Sequence, residues 1–169
     1  MRRVLSLALL TRASSFTLLP RTSLYFSPQS CRHFTGSRHN MSAEDSKSML
    51  TQALSTEGQP TIFSKILDST IPSTEVYSDD LCYAFEDINP AGPVHFLVIP
   101  RKLITRVSKA EEDDKALLGH LMYTAGRLGR ERCPEGFRLV VNDGVEGAQS
   151  VYHLHVHVIG GRQMTWPPG

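Results

Sequence analysis

One segment near the C-terminal end restricts the fold more than any other: His153-Leu154-His155-Val156-His157-Val158. Imidazole and aliphatic side chains alternate there with a period of two, the spacing of a β-strand, in which residues i, i+2 and i+4 share a face. The alternation predicts a strand over Ser150–Ile159 with three imidazoles on one face, about 6–7 Å apart in series. Leu154, Val156 and Val158 fall on the other face and can pack on a helix. The histidine face cannot be ordinary core, because three neighbouring buried rings need donors, acceptors or a ligand. The chain has seven histidines, so three in alternation mark a site. His120, alone on a helical pattern, reads instead as a satisfied, partly buried ring.

The other elements follow from periodicity and punctuation. Ile62, Phe63, Ile66 and Leu67 give a short helix over 62–68 that closes before Pro72. Residues 75–78 and 81–86 read as strands joined by an Asp79-Asp80 turn. The loop Asn89-Pro90-Ala91-Gly92-Pro93 feeds a strong strand, His95–Ile99, which Pro100 ends. A capping box, Ser108-Lys109-Ala110-Glu111, opens one long helix over about 109–131, with Leu117, Leu118, Leu121, Met122, Ala125 and Leu128 at helical spacing. Phe137–Asn142 is a further strand. These elements predict an α+β domain with a five-stranded, mainly antiparallel sheet, one long helix and one short one.

Charge divides the chain unevenly. Residues 1–40 hold six arginines and no Asp, Glu or Lys, amid Ser, Thr and Leu, which is the composition of a mitochondrial transit peptide. Residues 41–60 read as a flexible lead-in with at most a weak helix before Glu57, and the folded domain is expected over 61–169. Without the leader arginines, 12 basic residues stand against 17 acidic ones, a net of −5; an acidic body of this kind is not expected to bind nucleic acid. No apolar run is long enough to span a membrane. Cys82 and Cys133, with no CxxC spacing, read as ordinary buried or part-buried thiols.

Two chemistries fit a face of three histidines. In one, His-x-His presents two rings to a zinc ion, with His95 as third ligand, although no carboxylate or thiol lies within ligand spacing of the triad in the sequence. In the other, a neutral imidazole attacks phosphorus while neighbouring groups stabilise the oxyanions. The loop just upstream supports the second. The backbone N–H groups of Gly147, Ala148, Gln149 and Ser150, with the Ser150 hydroxyl, suit phosphate oxygens. There is no Walker A sequence.

The run HLHVHVI, with the upstream HFLVIP, VVNDG and GAQSVYH and the ending GGRQMTWPPG, resembles the histidine triad superfamily, and in particular its Hint branch. The resemblance covers roughly residues 61–169. It implies a hydrolase of purine nucleoside 5′-monophosphate amides, AMP or GMP conjugates, that works in two metal-free steps without a cofactor. His155 is then the nucleophile on the α-phosphorus. His153 orients it, partly through its backbone carbonyl; His157 bonds the phosphate and leaving-group side; His95 supports the network; and Ser150 contacts the leaving group. The resemblance further implies that Asp87 takes the ribose hydroxyls and that Phe63, Ile66, Phe85, Ile88 and Leu97 sandwich the purine. Asn142 and the 148–151 loop, including Val151, hold the phosphate. Each apolar residue taken singly reads more readily as core, and Asp87 equally as a turn former. The terminal Trp166 is expected at the rim of a homodimer that joins two sheets. A neutral nucleophilic imidazole implies a rate that falls below about pH 6.5. A non-catalytic purine-nucleotide regulator or scaffold is the alternative of a different class, and a zinc-dependent hydrolase the alternative enzyme.

Overall fold

The computed structural model describes residues 42–168; the transit peptide expected over 1–40 lies outside them. The first element is a helix, α1 (Ala43–Leu54), where a flexible lead-in with at most a weak helix was expected. Its start is a reciprocal cap: the Ser42 hydroxyl accepts from the Asp45 backbone N–H, and the Asp45 carboxylate accepts from the Ser42 backbone N–H. Glu44 and Asp45 place negative charge in its first turn. A second helix, α2 (Ile62–Leu67), begins the same way, with Thr61 and Ser64 capping each other. It buries Phe63.

Five strands follow: β1 (Glu75–Ser78), β2 (Cys82–Glu86), β3 (Val94–Pro100), β4 (Phe137–Val140) and β5 (Val156–Gly160). They form one sheet in the order β1-β2-β3-β5-β4, with every pairing antiparallel. The β1–β2 turn is built by Asp79, whose Oδ1 accepts from the backbone N–H of Leu81 and of Cys82 at 2.8 and 2.7 Å. Asp79 Oδ2 meets His120 Nε2 at 2.7 Å, so His120 is the satisfied ring expected of it. Cys82 and Cys133 are free and buried.

The long helix, α3 (Lys115–Arg132), starts later than the sequence suggests. Ser108 does not cap it; its backbone N–H and hydroxyl both donate to the Asp143 carboxylate, at 2.8 and 3.0 Å. Two 3-10 turns, Val107–Lys109 and Glu112–Asp114, intervene, and the reciprocal cap is made by Glu111 and Asp114. One sheet face packs on α3: Ala84, Phe96, Val98, Val156 and Val158 meet Leu121, Ala125 and Leu128. The opposite face carries Phe85, Leu97 and Ile99 against Phe63 of α2. Strand alternation thus sends one set of residues to a sealed core and the other toward a cleft.

The last strand is shorter than expected and contains only one of the three histidines. Val98↔Val156 is the final pair of the β3–β5 ladder. Beyond it Pro100, which has no N–H, gives its carbonyl to the His153 ring at 2.8 Å. The Leu154 N–H donates to the Ile104 carbonyl instead. The chain leaves the ladder there but keeps its alternation, since Leu154, Val156 and Val158 all lie in the α3-side core. Among the described residues no helix is long and apolar enough to cross a membrane.

Candidate active site

A cleft of about 470 Å³ opens on the α2 side of the sheet. Phe63, Ile66, Phe85, Asp87, Ile88, Leu97, Ser150, Val151, His155 and His157 all line it, so ten of the residues singled out in the sequence come together. Ile62, Ile71, Pro72, Ser73, Thr74, Glu86 and Asn89 line it too. The sequence reading missed these; the only signal for Ile62 was its place on the α2 face. Ile88 is 91% exposed and stands at the mouth, not in a closed sandwich.

The aromatic and imidazole rings pack edge to face. Phe63 lies 5.3 Å from His155 and 6.1 Å from His153, and His155 lies 4.8 Å from His157, centroid to centroid. Hydrogen bonds assign the tautomers. The Ala91 N–H donates to His95 Nδ1 at 3.0 Å, so His95 carries its hydrogen on Nε2. That Nε2–H faces His157 Nδ1 at 2.9 Å, with Asp87 Oδ2 at 3.4 Å. His157 therefore accepts at Nδ1 and carries its hydrogen on Nε2, a buried atom without a hydrogen-bond partner among the described residues. His155 Nδ1–H donates to the His153 carbonyl at 2.7 Å, which leaves the lone pair on His155 Nε2. The His153 ring is held by the Pro100 carbonyl, and its Nδ1 is buried without a partner among the described residues.

Burial sets the charge state of these rings. It holds the imidazoles of His153 and His155 below their ordinary value, against the opposing pull of the carbonyls they bond. Burial, with the neighbouring His155 and His95 rings, brings His157 down to about 4.

Several expected phosphate groups lie elsewhere. Gln149 is fully buried: its amide nitrogen donates to the carbonyls of Thr105 and Val151, and its amide oxygen accepts from the Gly144 N–H. Its side chain is a staple inside the loop and cannot reach a ligand. The backbone N–H groups of Ala148 and Gln149 are taken by the Val145 and Gly144 carbonyls, so neither is free for a phosphate oxygen. Asn142 reaches the Ala148 carbonyl at 3.4 Å and does not line the cleft. Gly147 is explained by close packing: a Cβ there collides with the Asp143 carbonyl oxygen and comes within 2.8 Å of the Asp143 nitrogen. Trp166 is 85% exposed and away from the cleft.

The metal-ligand grouping also differs from expectation. Asp87, His95 and His157, not a pair of triad histidines, bring one ligand atom each within 4.8 Å of one another. The carboxylate that the sequence spacing did not show is therefore present. A second such grouping, Asp79, Cys82 and His120, is occupied by the turn bonds described above.

Comparison with known proteins agrees with this geometry. The HIT domain pattern matches residues 68–164. The chain belongs to the histidine triad superfamily, in its Hint branch. It is 51% identical over 140 residues to the Adenylylsulfatase HINT1 of Arabidopsis thaliana, covering 81% of this chain and 93% of that one. It is 58% identical over 112 residues to a 14 kDa zinc-binding protein of Brassica juncea, covering 64% and 99%. Among solved structures, a HIT family hydrolase from Legionella pneumophila superimposes with a TM-score of 0.62 at 44% identity, over 64% of this chain and 98% of that one. In this histidine triad the three rings are His153, His155 and His157, with His95 as the fourth member of the network.

Proposed function

We propose that the chain hydrolyses the P–N bond of purine nucleoside 5′-monophosphate amides, AMP amides foremost, through a nucleotidyl intermediate on His155. One observation carries this reading. The hydrogen bonds leave an imidazole lone pair on His155 Nε2 and an N–H donor on His157 Nε2, on adjacent rings of one cleft. A nucleophile and an oxyanion donor side by side suit in-line attack on phosphorus.

In the first step the His155 Nε2 lone pair forms a bond to the α-phosphorus and the P–N bond breaks. The imidazolium that results keeps its Nδ1–H on the His153 carbonyl. His157 Nε2–H bonds a phosphoryl oxygen, and the departing nitrogen takes one proton from the Ser150 hydroxyl, which regains it from solvent water. In the second step water attacks phosphorus, loses one proton and restores His155. Asp87 receives the ribose and Phe63, Ile66, Phe85 and Leu97 the base. Mass spectrometry of protein quenched during reaction with an AMP amide tests the proposal: one added nucleotidyl group on the His155 peptide supports it, and steady turnover with no such adduct refutes it.

The adenylylsulfatase name of the Arabidopsis relative favours a second leaving group, sulfate, on the same nucleotidyl chemistry. Sulfate departs without a proton, so replacing Ser150 by Ala should slow the amide reaction more than the sulfate one. Zinc, named for the Brassica relative, finds ligand atoms of Asp87, His95 and His157 within reach of one another, but the His95 Nε2–H donates to His157 Nδ1, so a cation would bind there only by displacing that hydrogen. A homodimer joined through the free edge of β4 and a mitochondrial location complete the proposal. The first rests on the exposed Tyr123 and Trp166 and is tested by light scattering; the second rests on the arginine-rich residues 1–40 and is tested by cell fractionation.

A further inference from the structure

The N-terminal helix has a face that the catalytic chemistry above does not use. Ser46, Met49, Leu50 and Ala53 recur at intervals of three and four and so share one side of α1, with Thr56 just past its end. That side lines an open hollow of about 480 Å³, which Ser150 lines as well. Ser150 also lines the cleft that holds His155 and His157. The two cavities therefore meet at the residue that faces the departing nitrogen.

α1 buries none of its residues, and Met49 is 60% exposed. Leu50 and Ala53 are only partly buried, yet the helix is held in register with the site. Glu57, just past the helix, accepts hydrogen bonds from the Thr105 hydroxyl at 2.7 Å and from Arg106 Nε at 3.0 Å. The Thr105 carbonyl in turn accepts from the buried Gln149 amide at 2.8 Å, next in sequence to Ser150. A chain of three bonded residues thus sets the distance between α1 and the Ser150 loop.

We propose that this hollow is a leaving-group subsite, which takes the apolar aryl or alkyl portion of the amine released from phosphorus. The inference rests on the reading of the cleft as a nucleotide amidase. A small leaving group reaches no farther than Ser150. One with a phenyl ring on a short chain extends past it onto Met49, Leu50 and Ala53, where burying the ring favours binding. Because only the leaving-group end enters the hollow, its contribution is separate from purine recognition.

The test uses the full chain with two substrates, the unsubstituted AMP phosphoramidate and the phenylpropylamine amide of AMP. The chain is expected to prefer the phenylpropyl amide in kcat/KM by about tenfold or more, and Met49→Ser with Leu50→Ser to erase that preference. The same double variant should keep turnover of the unsubstituted amide within about twofold, which shows that the fold and the site are intact. A chain with no preference, or a preference that survives the double variant, overturns the subsite. So does a double variant of altered oligomeric mass, because the stripe is then a contact between copies. Should the chain cleave neither amide, the amidase reading fails separately, and the subsite is read by equilibrium binding of the two uncleaved amides. A tighter Kd for the phenylpropyl amide that the double variant abolishes supports it; equal Kd values overturn it.

Discussion

His155 Nδ1 stands 2.7 Å from the carbonyl oxygen of His153, and this single contact puts the ring's hydrogen on the nitrogen that faces the backbone. The other nitrogen is then a lone pair directed at the cleft. A residue two places earlier in the chain thus sets the tautomer of the proposed nucleophile.

On the proposed mechanism, replacing His155 removes the attacking atom and leaves the other residues that line the cleft in place. His155→Ala is expected to lower turnover of an AMP amide by at least about 10³-fold. AMP binding, measured by calorimetry on His155→Ala and His155→Gly, should persist. An alanine variant that retains most of its activity refutes the nucleophile assignment.

His157 acts as a donor, and its donor atom is set by His95. His157→Ala is expected to cost about 10²–10³ in kcat, the magnitude for a lost oxyanion donor. His95→Ala frees His157 Nδ1 and lets the ring take either tautomer, so it should cost less than His157→Ala and mainly in kcat. Steady-state kinetics separate the two, and equal losses would argue that His95 touches substrate.

How much of this was legible in the sequence depended on whether a period or a distant partner decided the outcome. The alternation put Leu154, Val156 and Val158 in the core and His155 and His157 at the cleft, whereas His153, 1% exposed, does not line it. It could not show that the ladder ends at Val156, because that depends on Pro100, fifty-odd residues earlier, having no N–H and giving its carbonyl to His153. The Ser42–Asp45 cap of α1 was present in the sequence as Ser-x-x-Asp and went unread. The Ser108 signal was read but belongs to a different contact, the Asp143 carboxylate. Gln149 had no local signal at all: a polar residue in a phosphate-like loop looks like a ligand contact until its side chain proves to be wholly occupied.

The pH dependence follows from burial. His155 must be neutral to attack, and burial holds its imidazole below the ordinary 6.5. The kcat/KM for an AMP amide should therefore stay level as pH falls to 6.5 and decline only below it, in place of the decline at 6.5 that an unburied ring gives. His157 takes its proton near 4 when folded and near 6.5 when unfolded. Between those values the unfolded chain binds more protons, so stability should fall as pH drops from about 6.5 to about 4. Thermal unfolding across that window checks this, and His157→Gln should flatten the slope.

Gly147 permits the loop that carries Ser150 to fold tightly. Gly147→Ala places a Cβ against the Asp143 backbone, and backbone cannot yield as a flexible side chain can. Asp143 is itself fixed by two bonds from Ser108. The variant should lose about 1–3 kcal/mol of stability and more activity toward amides than affinity for AMP, read from denaturant titration and kinetics. An alanine variant with unchanged stability would mean that the loop opens freely.

Zinc should inhibit this chain. The ring nitrogens that a cation would use at His95 and His157 already share a hydrogen bond. His95 Nε2 gives its hydrogen to His157 Nδ1 at 2.9 Å, and that hydrogen fixes the donor end of His157. A cation held by both rings displaces it and adds a charge next to a group that burial keeps neutral. Chelator treatment should consequently leave turnover unchanged, and micromolar zinc should reduce it. Asp87→Asn should raise the zinc concentration needed by about tenfold or more, since a neutral amide is a much weaker ligand than a carboxylate. Loss of activity on chelation, restored by zinc, would instead make the metal part of the catalyst and overturn the tautomer chain as the basis of the reaction.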